Sequence, residues 1–296
     1  MGVLLKFQKF LMFKLITRKI LPDKIYYQYC YFLLFGKPLS YKNPVGFNAK
    51  IQWLKVYNRL PELSKLTDKY EVRKYVDEII GEKYLVPLHG IYSSTDEISW
   101  SSLPEKFVLK ATHGSGWNII CKNKSEFNQR KAEIKLNRWL KTNFYSIEKE
   151  WHYKNILPRI SCEKLIENKN GKLLELKVFC YHGYPEYIIA YISGGKTRNI
   201  YNKKWERINV ETSFKQGNNI DKPDNLDEIL ALASKLSSRF IFVRVDFFLD
   251  EKSIFFGELT FTPSAGLYRF KSKESDLLFG EPLKLKTEIF KHEEIQ

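Results

Sequence analysis

Residues 244–266 read Arg244-Val-Asp-Phe-Phe-Leu-Asp-Glu-Lys-Ser-Ile-Phe-Phe-Gly-Glu-Leu-Thr-Phe-Thr-Pro-Ser-Ala-Gly266, and this stretch predicts a β-hairpin. A set of alternating apolar residues precedes a polar turn at 250–253, and a second set follows it. These sets are Ile241, Val243, Val245, Phe247 and Leu249, then Phe255, Gly257, Leu259 and Phe261. Placing both sets on the core side pairs odd residues with odd ones, and the tightest such hairpin sets Asp246 opposite Glu258.

Two carboxylates held this close make a candidate metal site. Directly opposed residues have Cβ atoms about 5 Å apart, and two like charges there destabilise a hairpin unless a cation or a shared proton intervenes. A hard divalent ion such as Mg²⁺ would remove that repulsion, because carboxylate oxygens are its preferred ligands. The alternative is a solvated hairpin with two surface acids, and these residues alone leave both interpretations open.

A second motif, Lys106-Phe-Val-Leu-Lys-Ala-Thr-His-Gly-Ser-Gly-Trp-Asn-Ile-Ile-Cys121, predicts a hairpin with a glycine-rich tip. Glycines let backbone N–H groups approach an oxyanion, and Lys110 at the strand end supplies a charge for phosphate oxygens. Gly-Ser-Gly also serves ordinary tight turns, and His113 either contacts phosphate or caps the turn. The sequence has neither the P-loop order nor the dinucleotide-binding fingerprint.

Together with Ile160-Ser-Cys-Glu-Lys-Leu-Ile-Glu167, the two hairpins resemble the ATP-grasp superfamily. Two stretches are similar in sequence to the TupA-like branch, which is named for teichuronopeptide biosynthesis. They are residues 244–266 and Leu103-Pro-Glu-Lys-Phe-Val-Leu-Lys-Ala-Thr-His-Gly-Ser-Gly116. The resemblance covers roughly residues 60–270. It implies an α+β ATP-grasp fold, in which two sheet-containing lobes enclose a nucleotide cleft, with an N-terminal helical extension.

The resemblance also suggests how the chain is divided. Residues 1–60 would form the helical, basic and aromatic extension, and residues 61–270 the ATP-grasp region. Within that region, 61–167 would supply the N-terminal and nucleotide-lid lobes, and 168–270 the metal-binding lobe. Residues 271–296 are strongly charged and are expected to be a peripheral tail. The segment 42–57 predicts a helix that follows a turn, with Asn48 as its cap.

Residues expected to bind ATP follow from the same resemblance. Those facing the phosphates would be Lys69, Lys110, His113, Gly114, Ser115 and Gly116. Those receiving the adenine edge would be Glu163, Lys164, Leu165 and Ile166, and Glu167 would bind the ribose hydroxyls.

The metal ligands and the catalytic residues are likewise implied by the family. Asp246 and Glu258 match the magnesium ligands. Thr260 stands where many ATP-grasp enzymes have Asn, and because a hydroxyl is a poorer Mg²⁺ ligand, the number of metal ions stays open. Of the two catalytic residues, Arg244 matches the arginine that steadies the transferred phosphoryl group or the acyl phosphate, and Lys177 stands where the family has a polar residue that faces the nucleotide.

A family of this kind implies an ATP-dependent ligase that joins a carboxylate to an amine through an acyl phosphate, with ATP and Mg²⁺ as cofactors. The substrates would be an acidic sugar or glycan precursor and an amino acid or amine, used in surface polysaccharide or peptidyl-glycan synthesis. A glycosyltransferase of capsular or cell-wall synthesis is the main alternative, although its DxD-type motif is absent. A binding protein with an idle carboxylate pair is a third interpretation.

Composition is compatible with an enzyme that handles anions. The 296 residues carry a formal net charge of +15, which favours a nucleotide, an acidic glycan or an anionic membrane surface as partner. Nucleic acid is not expected, because no recognised nucleic-acid motif accompanies the lysines. The widely spaced cysteines at 30, 121, 162 and 180 favour buried reduced thiols, and hence a cytoplasmic protein.

The first twenty residues mix aromatic side chains with lysines. Lys6, Lys9 and Lys14 interrupt the apolar run before it reaches the length of a membrane span, and no small-residue cleavage site follows. The content suits peripheral contact with the anionic inner face of a membrane, although packing onto the body of the protein is the commoner outcome.

Overall fold

The computed structural model describes residue 18 and residues 20–168, 172–210, 212–251 and 253–286. Most of the amino-terminal segment for which membrane contact is expected, and residues 287–296 of the expected tail, lie outside these ranges. The helices are α1 (Asp23–Phe35), α2 (Phe47–Tyr57), α3 (Glu62–Thr67), α4 (Val72–Ile80), α5 (Gln129–Leu140), α6 (Tyr145–Glu148), α7 (Leu226–Ser237) and α8 (Lys273–Gly280).

A smaller antiparallel sheet contains the glycine-rich hairpin. Its strands are β1 (Leu88–Tyr92), β2 (Phe107–Ala111), β3 (Asn118–Cys121) and β4 (Ile160–Lys164), in the order β1-β4-β2-β3. The apolar residues of β2 and β4 pack on α5, where Leu136 is fully buried. This packing confirms the predicted hairpin, with Lys110 opposite Asn118 at the base of its tip.

A larger antiparallel sheet carries the carboxylate hairpin. Its strands are β5 (Leu174–Tyr181), β6 (Tyr184–Ile192), β7 (Asn199–Asn202), β8 (Phe242–Leu249) and β9 (Ile254–Thr260), in the order β7-β6-β5-β8-β9. On one face, Val178 and Val245 pack with Ile229 and Leu236 of α7. On the other face, Phe179 and Phe242 pack with residues of α2 and α8.

The predicted opposition of Asp246 and Glu258 is confirmed, but the register changes just beyond it. Phe247 pairs with Phe256 rather than with Gly257, so Gly257 is an extra residue that forms a β-bulge. The expectation that Phe255 and Gly257 face the core is therefore wrong. Ile254 and Phe256 face it instead, because the bulge moves every residue before it to the opposite face of the sheet.

The segment after residue 270 is not peripheral throughout. Phe279 and Leu283 are fully buried against the aromatic cluster of α2. Burying a side chain as large as Phe279 contributes about 1.5–3 kcal/mol. The expectation of a charged surface tail is thus wrong for 273–283, where a few apolar residues determine the packing.

The same segment supplies the cap of α2. Asn48 was expected to cap this helix, but it lies in the first turn. Its backbone N–H and its side-chain amide both donate to Asp276 Oδ1, each at 3.0 Å. Asp276 therefore satisfies an N-terminal donor of α2 from across the fold, and the prediction for Asn48 is wrong.

The described part of the chain offers no helix with the length and apolarity to cross a bilayer. The four cysteines are buried free thiols, as expected from their spacing. Burial raises the pKa of Cys162 and of Cys180 to about 12, so both are protonated at neutral pH.

Candidate functional site

One face of the larger sheet changes from aromatic to charged within two residues. On β5 it carries Phe179 and then Lys177, and on β8 it carries Phe242 and then Arg244 and Asp246. The aromatic half is covered by α2 and α8. The charged half therefore stays available as the floor of a cleft.

The cleft lies between this floor and the glycine-rich hairpin of the smaller sheet. It contains two neighbouring cavities of about 410 and 280 Å³, which share Lys110, Asn118, Glu175 and Phe248 in their walls. The larger cavity is mostly apolar, whereas the smaller one collects charged residues. Those charged residues are Lys69, Lys110, Glu175, Lys177, Asp246 and Glu258.

Asp246 is held by two cations. Arg244 Nε and Nη2 donate to its two carboxylate oxygens at 2.6 and 2.7 Å, and Lys177 Nζ donates to Oδ2 at 2.8 Å. Lys177 comes from β5 directly opposite Asp246. The two predicted catalytic cations therefore lie on one predicted metal ligand.

Glu258 extends this cluster toward the glycine hairpin. Its Oε1 accepts from Arg244 Nη2 at 3.2 Å and from Thr260 Oγ1 at 2.9 Å, and its Oε2 lies 3.8 Å from Lys69 Nζ. Burial alone would raise the pKa of Glu258, but the charges of Lys69, Arg244 and Lys177 outweigh it and lower the pKa to about 2. Glu258 is thus ionised at neutral pH, and with 32% of its side chain exposed it remains open to a ligand.

The donor set fits Mg²⁺ when a nucleotide supplies further oxygens. Two carboxylates and the Thr260 hydroxyl offer hard oxygen atoms on one wall, which is the chemistry that Mg²⁺ requires. Among the described residues, no group of three or more acidic, histidine or cysteine side chains could hold a metal ion. Mg²⁺ at sites of this kind is bound by one or two carboxylates together with substrate phosphates.

The tip of the glycine hairpin folds toward the charged cavity. Gly116 has φ +72°, a conformation that favours glycine, and Ser115 and Gly116 both line the cavity. Lys69 Nζ donates to Gly114 O at 2.7 Å and so fixes the start of the tip. Lys69 thereby connects the hairpin to Glu258 on the opposite side of the cleft.

His113 points away from the cleft. Its ring is buried, with Nε2 2.9 Å from the carbonyl oxygen of Trp139 on α5, and it packs against Trp117. Burial lowers the pKa of His113, so the ring is neutral at pH 7 and offers no positive charge to phosphate. A structural role inside the hairpin lobe agrees better with this geometry than the predicted contact with phosphate.

The segment predicted to receive adenine borders the apolar cavity. Lys164, Leu165, Ile166 and Glu167 line it, together with Val108 of β2. Glu163 is buried and instead forms an ion pair with Lys110. The carboxylate of Glu167 lies 2.8 Å from Lys106 Nζ, at the rim of the cavity.

The cleft residues described above all lie within a stretch of the chain that matches a known protein family. The family described as TupA-like ATPgrasp matches residues 49–284. The chain belongs to this family. The resemblance noted in the sequence is thereby confirmed, and the match extends beyond residues 60–270 into α2 and over α8. No curated protein matches the sequence.

Solved structures similar to this TupA-like ATP-grasp protein are distant in sequence. D-alanine–D-alanine ligase from Bacillus anthracis, complexed with ATP, is 14% identical, with a TM-score of 0.44 over 85% of this chain and 71% of that one. L-amino acid ligase from Bacillus licheniformis is 10% identical, with a TM-score of 0.42 over 74% of this chain and 48% of that one. The family match and the two antiparallel sheets confirm the α+β ATP-grasp fold expected from the sequence.

Sequence reasoning missed one acid of the TupA-like cleft. Glu175 lines both cavities, and its carboxylate accepts a hydrogen bond from the Tyr191 hydroxyl. It stands two residues before Lys177 on β5, so strand alternation applied from Lys177 could have found it.

Proposed function

We propose that this protein is an ATP-dependent carboxylate–amine ligase that works through an acyl phosphate. The observation that supports this most strongly is the convergence of four cations on the carboxylates of one cleft. These cations are Lys69, Lys110, Lys177 and Arg244. Such a cluster matches a polyanion that arrives with a metal ion, because phosphoryl transfer depends mainly on positioning and on neutralising charge.

The nucleotide would lie along the two cavities. Its base would enter the apolar cavity beside Leu165 and Ile166, where mostly apolar walls favour a flat ring. Its phosphates would reach the charged cavity, where Lys69 and Lys110 offer positive charge and Gly116 leaves backbone N–H groups accessible.

The metal would be held by Asp246 and Glu258, with Thr260 beside them. When bound, Mg²⁺ would supply positive charge that neutralises the phosphates. Arg244 and Lys177 now contact Asp246, so they lie where they can turn toward phosphate oxygens once that carboxylate has another partner. They would stabilise the negative charge on the group in transfer.

The reaction would have two steps. An oxygen of the substrate carboxylate would attack the γ-phosphorus of ATP, giving an acyl phosphate and ADP. An amine nitrogen would then attack the acyl carbon, and phosphate would leave as the amide forms and the nitrogen loses a proton. Arg244 and Lys177 would face the phosphoryl group in both steps.

We propose as substrates an acidic sugar or glycan precursor and an amino acid or amine, in synthesis of a surface polysaccharide or peptidyl-glycan. The net charge of +15 supports an anionic substrate. The same charge supports a cytoplasmic site of action at the inner face of the membrane, where anionic lipids lie.

The thermal unfolding midpoint with ATP, ADP, UDP-glucose or UDP-glucuronate, each with Mg²⁺ or EDTA, tests this proposal. A ligand at about 100 times its Kd adds roughly 2.7 kcal/mol of stability. We expect adenine nucleotides to raise the midpoint only with Mg²⁺. Stabilisation by uridine sugars alone would favour the glycosyltransferase, and no nucleotide effect would favour a binding protein.

A variant tests the site itself. Glu258→Gln should abolish Mg²⁺-dependent ATP turnover, because the amide offers one neutral oxygen in place of a charged carboxylate. Glu251→Gln, on the exposed turn of the same hairpin, is the matched control and should keep turnover. Turnover retained in Glu258→Gln would refute the assignment.

A further inference from the structure

Arg198, just before β7, has a guanidinium group stacked on aromatic rings. Its guanidinium carbon lies 3.7 Å from the centre of the Tyr191 ring and 4.2 Å from that of Phe214. Such stacking uses the flat faces of the group and leaves the N–H donors at its edge available. Nη1 is buried, and none of the described residues accepts a hydrogen bond from it.

Three cations of the nucleotide cleft differ from Arg198 because each forms an ion pair with a carboxylate. Lys110 lies on Glu163, Lys177 on Asp246, and Arg244 on Asp246 and Glu258. Arg198 has aromatic neighbours but no such carboxylate within the described ranges. A buried donor without an acceptor destabilises a protein, and an acceptor that comes from outside would remove that cost at Nη1 of Arg198.

The backbone around Arg198 is held in place before any ligand arrives. Its N–H donates to the carbonyl of Lys215 at 2.9 Å, and Asn199 Oδ1 accepts from Gly217 N–H at 2.9 Å. An isolated β-bridge between Thr197 and Lys215 links this loop to the residue that follows Phe214. The backbone that carries Arg198 and Phe214 is therefore ordered before a ligand binds, which lowers the entropic cost of binding.

Arg198 also lies beside the proposed reaction centre. Tyr191 stands opposite Glu175 on β5, and Lys177, which contacts Asp246, lies two residues further along that strand. Tyr268 is near both arginines: burial raises its pKa, while the charges of Arg244 and Arg198 act to lower it. Lys177 Nζ lies 5.8 Å from the centre of the same Tyr191 ring on which Arg198 stacks, so a molecule bound beside Lys177 would lie close to Arg198.

We propose that Arg198 binds an anionic group of the acid substrate, separate from the carboxylate that is phosphorylated near Arg244. This inference rests on the proposed ligase function. It assigns the substrate to acids with at least two anionic groups. A carboxylate suits the edge of a guanidinium because its two oxygens can accept parallel hydrogen bonds.

Isothermal titration calorimetry on the full chain tests this inference in two stages. The first titration is Mg²⁺ with the ATP analogue AMP-PNP, and binding there is required by the ligase proposal alone. The second stage titrates acids into the protein saturated with Mg²⁺ and AMP-PNP. The pairs are L-glutamate with L-glutamine, D-glutamate with D-glutamine, and UDP-glucuronate with UDP-glucose.

We expect at least one acid to bind at least 10-fold more tightly than its partner, which has one carboxylate fewer. Arg198→Gln should weaken that acid by about 10- to 100-fold, as expected for loss of a charged hydrogen bond, while the Kd of AMP-PNP changes less than twofold. Arg198→Lys should restore part of the affinity. Lys196→Gln removes the same charge from an exposed position of the same loop and should leave all affinities unchanged.

Three outcomes would overturn the inference while AMP-PNP still binds the unaltered protein. No acid is preferred over its partner with one carboxylate fewer, or the preference survives in Arg198→Gln, or that variant weakens AMP-PNP rather than the acid. Absence of AMP-PNP binding to the unaltered protein would instead refute the ligase proposal.

Discussion

Acidification should destabilise this protein through His152, a residue near the end of β9 that is buried as a neutral ring. Its side chain is 3% exposed, and Nδ1 has no hydrogen-bond partner in the described part of the chain. Burial, reinforced by the charge of Lys55, lowers the pKa of His152 from 6.5 to about 3. The unfolded chain therefore binds a proton at a pH where the native ring does not.

The sign and size of the effect follow from this difference. The stability that the neutral ring contributes is fully present above pH 6.5, the unfolded pKa, and is lost progressively as the pH falls toward 3. Each pH unit within this window corresponds to about 1.4 kcal/mol, so lowering the pH to 5 removes about 2 kcal/mol from the free energy of unfolding.

Urea unfolding at pH 7.5 and at pH 5.0 measures this loss. Other groups titrate over the same interval, so the comparison is between the unaltered protein and His152→Gln. The variant should lose about 2 kcal/mol less than the unaltered protein between the two pH values. His89→Gln, at an exposed histidine, should behave like the unaltered protein. An equal loss in His152→Gln would refute the reasoning.

Two further predictions concern the β-bulge at Gly257 and the helix cap at Asp276. A Cβ atom at Gly257 would lie 2.8 Å from a ring carbon of Phe248 and 3.1 Å from Asp246 O, so Gly257→Ala should cost about 1–3 kcal/mol and weaken Mg²⁺-dependent stabilisation by ATP. Gly36→Ala, where a Cβ meets nothing within 4 Å, should leave the Mg²⁺-dependent stabilisation by ATP unchanged. If that stabilisation is also unchanged in Gly257→Ala, the bulge does not contribute to the shape of the nucleotide site. Asp276→Ala should lower the free energy of unfolding by about 1–2 kcal/mol without changing nucleotide binding. Exposed Asp221→Ala is its control in the same urea experiment, and equal midpoints for the two variants would argue against the cap.

The carboxylate hairpin could be predicted because alternation is a local property of the sequence. Asp246 and Glu258 were placed opposite each other by keeping apolar residues on one face, and the structure has that pairing. The bulge at Gly257 could not be found in this way. It depends on how close the ring of Phe248 comes to the neighbouring strand, which is a matter of packing.

Parts of the site made by distant segments were also beyond the sequence. The orientation of His113 depends on a carbonyl group 26 residues later, and the ring clamp of Arg198 joins Tyr191 to Phe214 from separate loops and strands. The family resemblance indicated which residues line the cleft, but it did not indicate the ion pairs that those residues form with one another. Lys110, for example, was expected at the phosphates and now lies on Glu163.

The cap of α2 has a consequence for how the protein is made. Asn48 donates to Asp276, which is 228 residues later in the chain. At about 5–20 residues per second, a ribosome needs roughly 10–45 s to cover that interval. During this time the aromatic face of α2 has neither its cap nor Phe279 to cover it. Nascent chains that lack Asp276 and Phe279 leave this aromatic surface exposed to chaperones and proteases. Chains that include both residues can bury it.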